Sequence, residues 1–296
     1  MLGSNVPTIG GYSTGFKFGD DWGCECIQIY MTQSRRWNIK ELTQERIKDF
    51  KNSRKKSSIK CVIAHIPFLV NLASPNRDIW KKSVNRMIQE ISYAQLLGVN
   101  YLVLHPGSYC ESDSRTGLNR IKKALKLVCQ EITNPNLRIL LETMSGQGTA
   151  LGSSFKEIKF ILNGLTNSEF IGICLDTAHI FHAGYNILGY ERYEKFINYI
   201  EELIGLNKIM AIHLNDSKTE LGSRVDRHAS IGEGKMGLQV FHAFLKEKRF
   251  QKIPKILEIP DRNGKSKQSL KFLKSIMRKN YISDKQKIQL NIKEIY

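Results

Sequence analysis

Residues 60–107 read KCVIAHIPFLVNLASPNRDIWKKSVNRMIQEISYAQLLGVNYLVLHPG, and they decide the fold. Lys60–Ile66 is a short apolar run ending in His65, as expected of a strand buried on both faces. In Asp78–Leu97, apolar residues fall at Ile79, Val84, Met87, Ile88, Ile91, Ala94 and Leu97, the spacing of an amphipathic helix. Gly98 stops that helix. Tyr101–Leu104 is apolar again and ends in His105-Pro106-Gly107. A strand, a helix and a second strand follow one another, and each strand closes on a histidine.

The unit recurs in both directions. Downstream, a helix near Leu118–Ile132 precedes the apolar run Leu137–Leu141, which ends in Glu142-Thr143. A shorter helix, Phe155–Leu165, precedes Ile171–Leu175, which ends in Asp176-Thr177-Ala178-His179. A helix over Tyr190–Ile204 precedes Ile209–Ile212 and His213; one over Gly237–Lys248 precedes Ile253–Leu257 and Glu258; Ser269–Met277 closes the series. Upstream, residues 1–6 form a strand before the turn Ile9-Gly10-Gly11. Ile27–Met31 is strand-like and runs into the polar segment TQSRRWN, and Ile39–Phe50 has helical spacing through Leu42, Ile47 and Phe50. Eight strand candidates, each followed by a helix, predict an α/β fold: a (β/α)8 TIM barrel in a single domain over residues 1–280. A doubly wound open sheet is the alternative, but no G-x-G-x-x-G follows the first strand. Residues 281–296 form a basic tail whose role is not readable.

Composition narrows the partners. Hydrophobic residues make up 41% of the 296, enough for a substantial core. Lys and Arg number 45 against 28 Asp and Glu, a net charge of +17, which favours polyanions, nucleic acid first. No run approaches a membrane span, and the N-terminal MLGSNVPTIGGYSTG lacks the pattern of a signal peptide. The six cysteines include no C-x-x-C pair; Cys61 and Cys174 lie inside apolar runs and read as core. A reducing intracellular compartment, cytoplasmic or nucleoid-associated, and a monomeric state are expected.

The polar residues fall where chemistry is built. His65, His105, Glu142, Asp176, His213 and Glu258 each end a different apolar strand, and in a parallel barrel those ends converge on one face. His179, Asp226 and His228 are expected in the loops just beyond. Five of the seven histidines join this set; His182 and His242 do not. Ile212–Gly234, IHLNDSKTELGSRVDRHASIGEG, is the densest part. In extended backbone Asp226 and His228, two apart, point to the same side and can chelate one ion, although a lone D-x-H is more often a solvated loop. Nine donors of this kind exceed the needs of one tetrahedral zinc and imply two or three ions. Clustered divalent ions lower the pKa of bound water and neutralise phosphate oxygens, and with the basic charge they point to hydrolysis of a nucleic acid backbone.

Three segments then resemble the endonuclease IV family of apurinic/apyrimidinic endonucleases: His65–Ala73 (HIPFLVNLA), Gly172–His179 (GICLDTAH) and Ile212–His228 (IHLNDSKTELGSRVDRH), the last being the most specific. The likeness extends from about the first strand to the last helix. Phe68 stands where the family usually has tyrosine, Val70 where isoleucine or methionine is usual, Ala178 where cysteine is common, and Asn5 where histidine is often found.

The resemblance implies a barrel holding three Zn²⁺, with Mn²⁺ as a partial substitute. It implies that Glu142, the catalytic centrepiece, bridges two ions. His65 and His105 would complete the first, Asp176, His213 and Glu258 the second, and His179, Asp226 and His228 would hold the third. It further implies cleavage 5′ to an abasic site in double-stranded DNA, leaving a 3′-hydroxyl and a 5′-deoxyribose phosphate, with removal of blocking groups from 3′ ends. Arg35 and Trp37 in one loop and Phe68-Leu69 in another are the implied DNA-contacting residues; Phe68 and Leu69 also suit ordinary core packing. Two rivals remain: a sugar isomerase or epimerase on the same barrel, and a DNA-binding protein with an inactive site.

Overall fold

Eight parallel strands close into a barrel in the computed structural model of the chain, which describes residues 1–31, 37, 41–258 and 264–278. The barrel strands are β1 (Leu2–Asn5), β2 (Cys26–Tyr30), β3 (Cys61–His65), β4 (Tyr101–Leu104), β5 (Arg138–Glu142), β6 (Ile171–Asp176), β7 (Ile209–His213) and, after a small antiparallel hairpin of β8 (Asp216–Ser217) and β9 (His228–Ala229), β10 (Lys255–Leu257). Their order around the barrel is β1-β10-β7-β6-β5-β4-β3-β2, and β1 pairs with both β10 and β2 to complete it. The expected barrel is the observed one.

Two cores divide the apolar residues. The larger lies between the strands and the helices; the smaller fills the barrel interior with Cys26, Cys61, Ile63, Val103, Leu140, Cys174, Ala211 and Ile256. The second set fixes where the chemistry goes. Side chains two apart on a strand share a face. Ile63 therefore hands the interior to His65, Val103 to His105, Leu140 to Glu142, Cys174 to Asp176, Ala211 to His213 and Ile256 to Glu258.

The helices are α1 (Thr14–Trp22), α2 (Gln44–Lys56), α3 (Arg77–Leu97), α4 (Ser114–Cys129), α5 (Phe155–Leu162), α6 (Thr177–His182), α7 (Tyr190–Leu203), α8 (Leu238–Lys246) and α9 (Lys265–Arg278). Local chemistry sets their ends. The Asn76 side chain accepts from the backbone N–H of Asp78 and Ile79 to start α3, and Gly98, at φ 70, ends it. A reciprocal Ser154–Glu157 capping box starts α5.

Three expectations need correction. Helix α1 was not anticipated, because Gly15 and Gly19 weaken its helical signal. Both glycines are there for close approach: a Cβ on Gly19 would lie 2.6 Å from Ile27 Cγ2, and one on Gly15 would lie 3.2 Å from Val6 Cγ2. Helix α2 begins after the cap Thr43 and runs to Lys56, beyond the expected Phe50; Ile39 lies outside the described residues. His179 is not in a loop. It sits in α6, where the Asp176 carboxylate caps the helix by accepting from its backbone N–H at 2.8 Å. The basic tail also lies outside the described residues. Among the described residues no helix is long and apolar enough to cross a membrane.

Candidate metal centre

Glu142 is the hub. It is fully buried, and its two oxygens face different histidines. Oε2 lies 3.0 Å from His65 Nε2 and 3.1 Å from His105 Nε2; Oε1 lies 3.0 Å from His213 Nδ1 and 3.4 Å from His179 Nδ1. His213 Nδ1 also lies 3.0 Å from Glu258 Oε2 and 3.8 Å from Asp176 Oδ2. Asp226 Oδ1 stands 3.3 Å from His179 Nε2 and 3.2 Å from His228 Nε2. Donor atoms within 4.8 Å of one another form three groups among the described residues: His65, His105, Glu142; Glu142, Asp176, His213, Glu258; and Asp176, His179, His228. The nine residues singled out from the sequence thus come together, with Asp226 against the third group and Asp176 shared by two.

The histidine hydrogen bonds suit metal ligation. His65 Nδ1 meets Ile66 O at 2.8 Å, His179 Nδ1 meets Thr143 O at 2.8 Å, and His213 Nε2 meets Gln28 Oε1 at 2.9 Å. A proton donated there leaves the other ring nitrogen as a lone pair aimed at the cluster. His179 Nε2 is one such nitrogen, and it and His228 Nε2 are both buried without a hydrogen-bond partner. Buried polar atoms ordinarily find one, and two orphaned nitrogens converging on a carboxylate fit a cation. Imidazole and carboxylate together are the donor set of Zn²⁺.

Charge in the cluster is held in balance. Burial alone would push the Glu142 carboxyl up, but the His213 and His105 imidazoles outweigh it and hold the group well below the usual range. Burial likewise opposes ionisation of Glu258, yet His213 draws it down to about 2. Burial keeps Asp176 raised against the pull of His179 and His228. His179, which burial would lower, is raised to about 10, chiefly by Asp176.

Sequence reading missed the residues that steady the ligands. Gln28, fully buried on β2, donates from Nε2 to Glu258 Oε1 at 2.6 Å while its oxygen faces His213. Asn215 donates to Asp176 Oδ2 at 2.5 Å and to Glu258 Oε2 at 3.3 Å, and accepts the Glu258 backbone N–H at 3.0 Å. Gln28 had a legible signal: it stands two residues beyond the interior Cys26, as each strand-end donor stands beyond its own interior residue. Asp216, in β8, pins the segment that follows β9, its carboxylate accepting N–H bonds from Gly232 at 2.9 Å, Gly234 at 3.1 Å and Met236 at 3.2 Å. Any side chain at position 234 would meet Asp216 Oδ1 at 2.3 Å.

The expected DNA-contacting residues divide. Phe68 is 60% exposed, its ring centroid 5.1 Å from that of His105 and 6.0 Å from that of His65. Leu69 is half-buried against the main core, so the core reading holds in part for it and not for its neighbour. Trp37 is half-buried, and its carbonyl accepts from Arg86. Arg35 lies outside the described residues.

A profile of the family described as "Xylose isomerase-like TIM barrel" matches residues 16–276. A "Probable endonuclease 4" of Thermosipho melanesiensis is 37% identical over 278 residues, 93% of this chain and 98% of that protein. The chain belongs to the endonuclease IV family. The crystal structure of endonuclease IV from Thermus thermophilus superposes with a TM-score of 0.81 at 28% identity, covering 93% of this chain and 98% of that one. A D-tagatose 3-epimerase-like protein superposes at TM-score 0.72 and 20% identity, which shows a shared barrel and no more. Endonuclease IV membership settles the choice between nuclease and epimerase that the strand ends alone left open.

Proposed function

We propose that this chain cuts duplex DNA on the 5′ side of abasic sites at a centre of three zinc ions, leaving a 3′-hydroxyl and a 5′-deoxyribose phosphate, and that it clears blocked 3′ ends. As a member of its family it is an AP endonuclease, a hydrolase acting on abasic sites. The finer reading rests above all on Glu142, which offers one oxygen to His65 and His105 and the other to His213 and His179, the arrangement of a bridging carboxylate.

His65, His105 and Glu142 would hold one ion; Glu142, Asp176, His213 and Glu258 a second; His179 and His228 a third, with Asp226 beside them and Asp176 within reach. Mn²⁺ can replace Zn²⁺ in part, since nitrogen and oxygen donors serve both. Bound ions supply Lewis acidity toward phosphate oxygens and toward water. The protein does the rest. The lowered pKa of Glu142 and of Glu258 keeps both carboxylates ionised near neutral pH. Ile66 O, Thr143 O and Gln28 Oε1 hold three imidazoles in one orientation. An abasic nucleotide must leave the base stack to reach a buried centre, and exposed Phe68, beside His65 and His105, is placed to stack in the gap. A net charge of +17 draws the phosphate backbone. All six cysteines are free thiols, in keeping with a reducing compartment that holds DNA.

The test is incubation with a duplex carrying one abasic site, end-mapping of the products and metal analysis of the same sample. A single 5′ incision, abolished by a strong chelator and restored by Zn²⁺, is expected. Cleavage on the 3′ side, or full activity with chelator and no metal, refutes the proposal.

A further inference from the structure

Helix α3 carries a buried charge that the metal centre does not use. Arg86 is 2% exposed, and its neighbour one turn on, Glu90, is fully buried. Arg86 Nε donates to Glu90 Oε1 at 3.0 Å, and Nη2 lies 2.9 Å from the same oxygen. The remaining arm reaches out of the helix: Nη1 donates to the backbone carbonyl of Trp37, in the β2–α2 connection, at 2.6 Å. One turn earlier on the same face, the fully buried Ser83 hydroxyl accepts from the backbone N–H of Asn71, in the β3–α3 connection, at 3.0 Å. Positions 83, 86 and 90 lie on one helical stripe. Nearby, the Tyr12 hydroxyl grips Met31 O, where β2 leads into its connection, at 2.5 Å.

A buried ion pair is a poor device for stability alone, because desolvation consumes most of its attraction and well-packed apolar side chains often do as well or better. A guanidinium does have a special use here. Its fixed fork satisfies a carboxylate with two N–H groups while a third points elsewhere. That third donor lands on backbone, so what it holds does not depend on the side chain it holds.

Both connections emerge at the C-terminal mouth of the barrel, beside the donor cluster. One carries Trp37 and the other carries exposed Phe68. We infer that the Ser83–Arg86–Glu90 stripe of α3 positions substrate: Arg86 fixes Trp37 of the β2–α2 connection, Ser83 fixes the β3–α3 connection at Asn71, and the helix between them sets Trp37 relative to Phe68 at the mouth where the functional reading puts duplex DNA. Arg86 and Ser83 are positioning residues that touch neither metal nor substrate. The inference rests on the functional reading above, and the following experiment separates the two.

Arg86→Met/Glu90→Met removes the pair together, so no buried charge is stranded. It is made in a Trp22→Phe/Trp80→Phe background, which leaves Trp37 as the sole tryptophan of the chain's three. Zinc content and melting temperature should match the parent background. KM for a duplex with one abasic site should rise about 10-fold, equivalent to about 1.4 kcal/mol, while kcat stays within about 2-fold, and acrylamide should quench Trp37 emission more strongly. Ser83→Ala should raise KM in the same direction. Unchanged KM and quenching in a folded, zinc-loaded double variant would overturn the inference. So would loss of zinc or of the fold, which would make the stripe a prop for the barrel. Should the parent itself fail to cut abasic duplex, the functional reading is what falls, and the quenching comparison alone then decides whether Arg86 holds Trp37.

Discussion

Phe68→Ala is the most informative single change, because the structure separates the cost to the fold from the cost to function. The side chain is 60% exposed. Full burial of a phenylalanine removes roughly 200 Å² from water, so the covered two-fifths here amounts to about 80 Å². At about 25 cal/mol per Å², truncation costs at most about 2 kcal/mol of stability. The ring offers no donor to a metal, and the Nε2 atoms of His65 and His105 lie 3.0 Å and 3.1 Å from Glu142 Oε2. Zinc content should therefore be unchanged. Stacking of an aromatic ring on a base is worth about 1–3 kcal/mol by alanine substitution. Incision of duplex DNA at an abasic site should fall roughly 5- to 150-fold in kcat/KM. The loss should be smaller on a frayed, 3′-blocked end, where nothing must be unstacked. Leu69→Ala belongs in a separate sample, since Leu69 packs partly against the core and its loss mixes stability with function. The assay compares kcat/KM on both substrates with zinc content and melting temperature. Unchanged duplex incision would refute the stacking role, and zinc loss in Phe68→Ala would show that the ring serves the metal centre instead.

Four further outcomes are expected. Glu142→Gln should lose bound zinc by metal analysis and lower incision by roughly 10³-fold or more, because an amide cannot bridge two cations; near-normal incision contradicts the bridge. Gln28→Leu should fold normally by circular dichroism yet bind zinc about 10- to 100-fold more weakly in chelator competition, since His213 and Glu258 lose their shared partner; equal affinity would make Gln28 a bystander. Burial lowers the Lys255 ammonium to about 8, so below pH 8 its charge destabilises the fold in full. As pH rises from 8 toward the unfolded value near 10.5, the unfolded chain alone still holds the proton and stability rises, by up to about 3 kcal/mol. Subtracting the Lys255→Met denaturation curves from those of the wild type should expose that rise, and a flat difference denies it. Affinity for duplex DNA should fall steeply with added salt as counterions are released; a flat response would mean that the +17 charge serves solubility.

The alternation of short apolar runs with helical stripes determined the barrel from sequence alone, because period and burial are local properties of a strand. It also determined which residues meet at the mouth. Once eight strands run parallel, every strand end lies on one face, and His65, His105, Glu142, Asp176, His213 and Glu258 converge whatever the detailed packing. The third motif needed only its own spacing to bring Asp226 and His228 side by side. What the sequence concealed depends on contacts between distant segments. Helix α1 looked unlike a helix because its glycines answer to Ile27 and Ile59 across a gap that exists only in the folded chain. Phe68 and Leu69 are adjacent and similarly apolar, yet one faces solvent above two histidines and the other meets the core. Gln28 shares the register of the strand-end donors, but its partners become visible only when the barrel closes and brings β2 opposite His213 and Glu258. Arg86 reads as one more surface cation of a basic helix; only tertiary structure buries it and aims it at a carbonyl 49 residues away. Burial and partnership are set by closure of the barrel, and closure joins residues whose separation along the chain carries no trace of their contact.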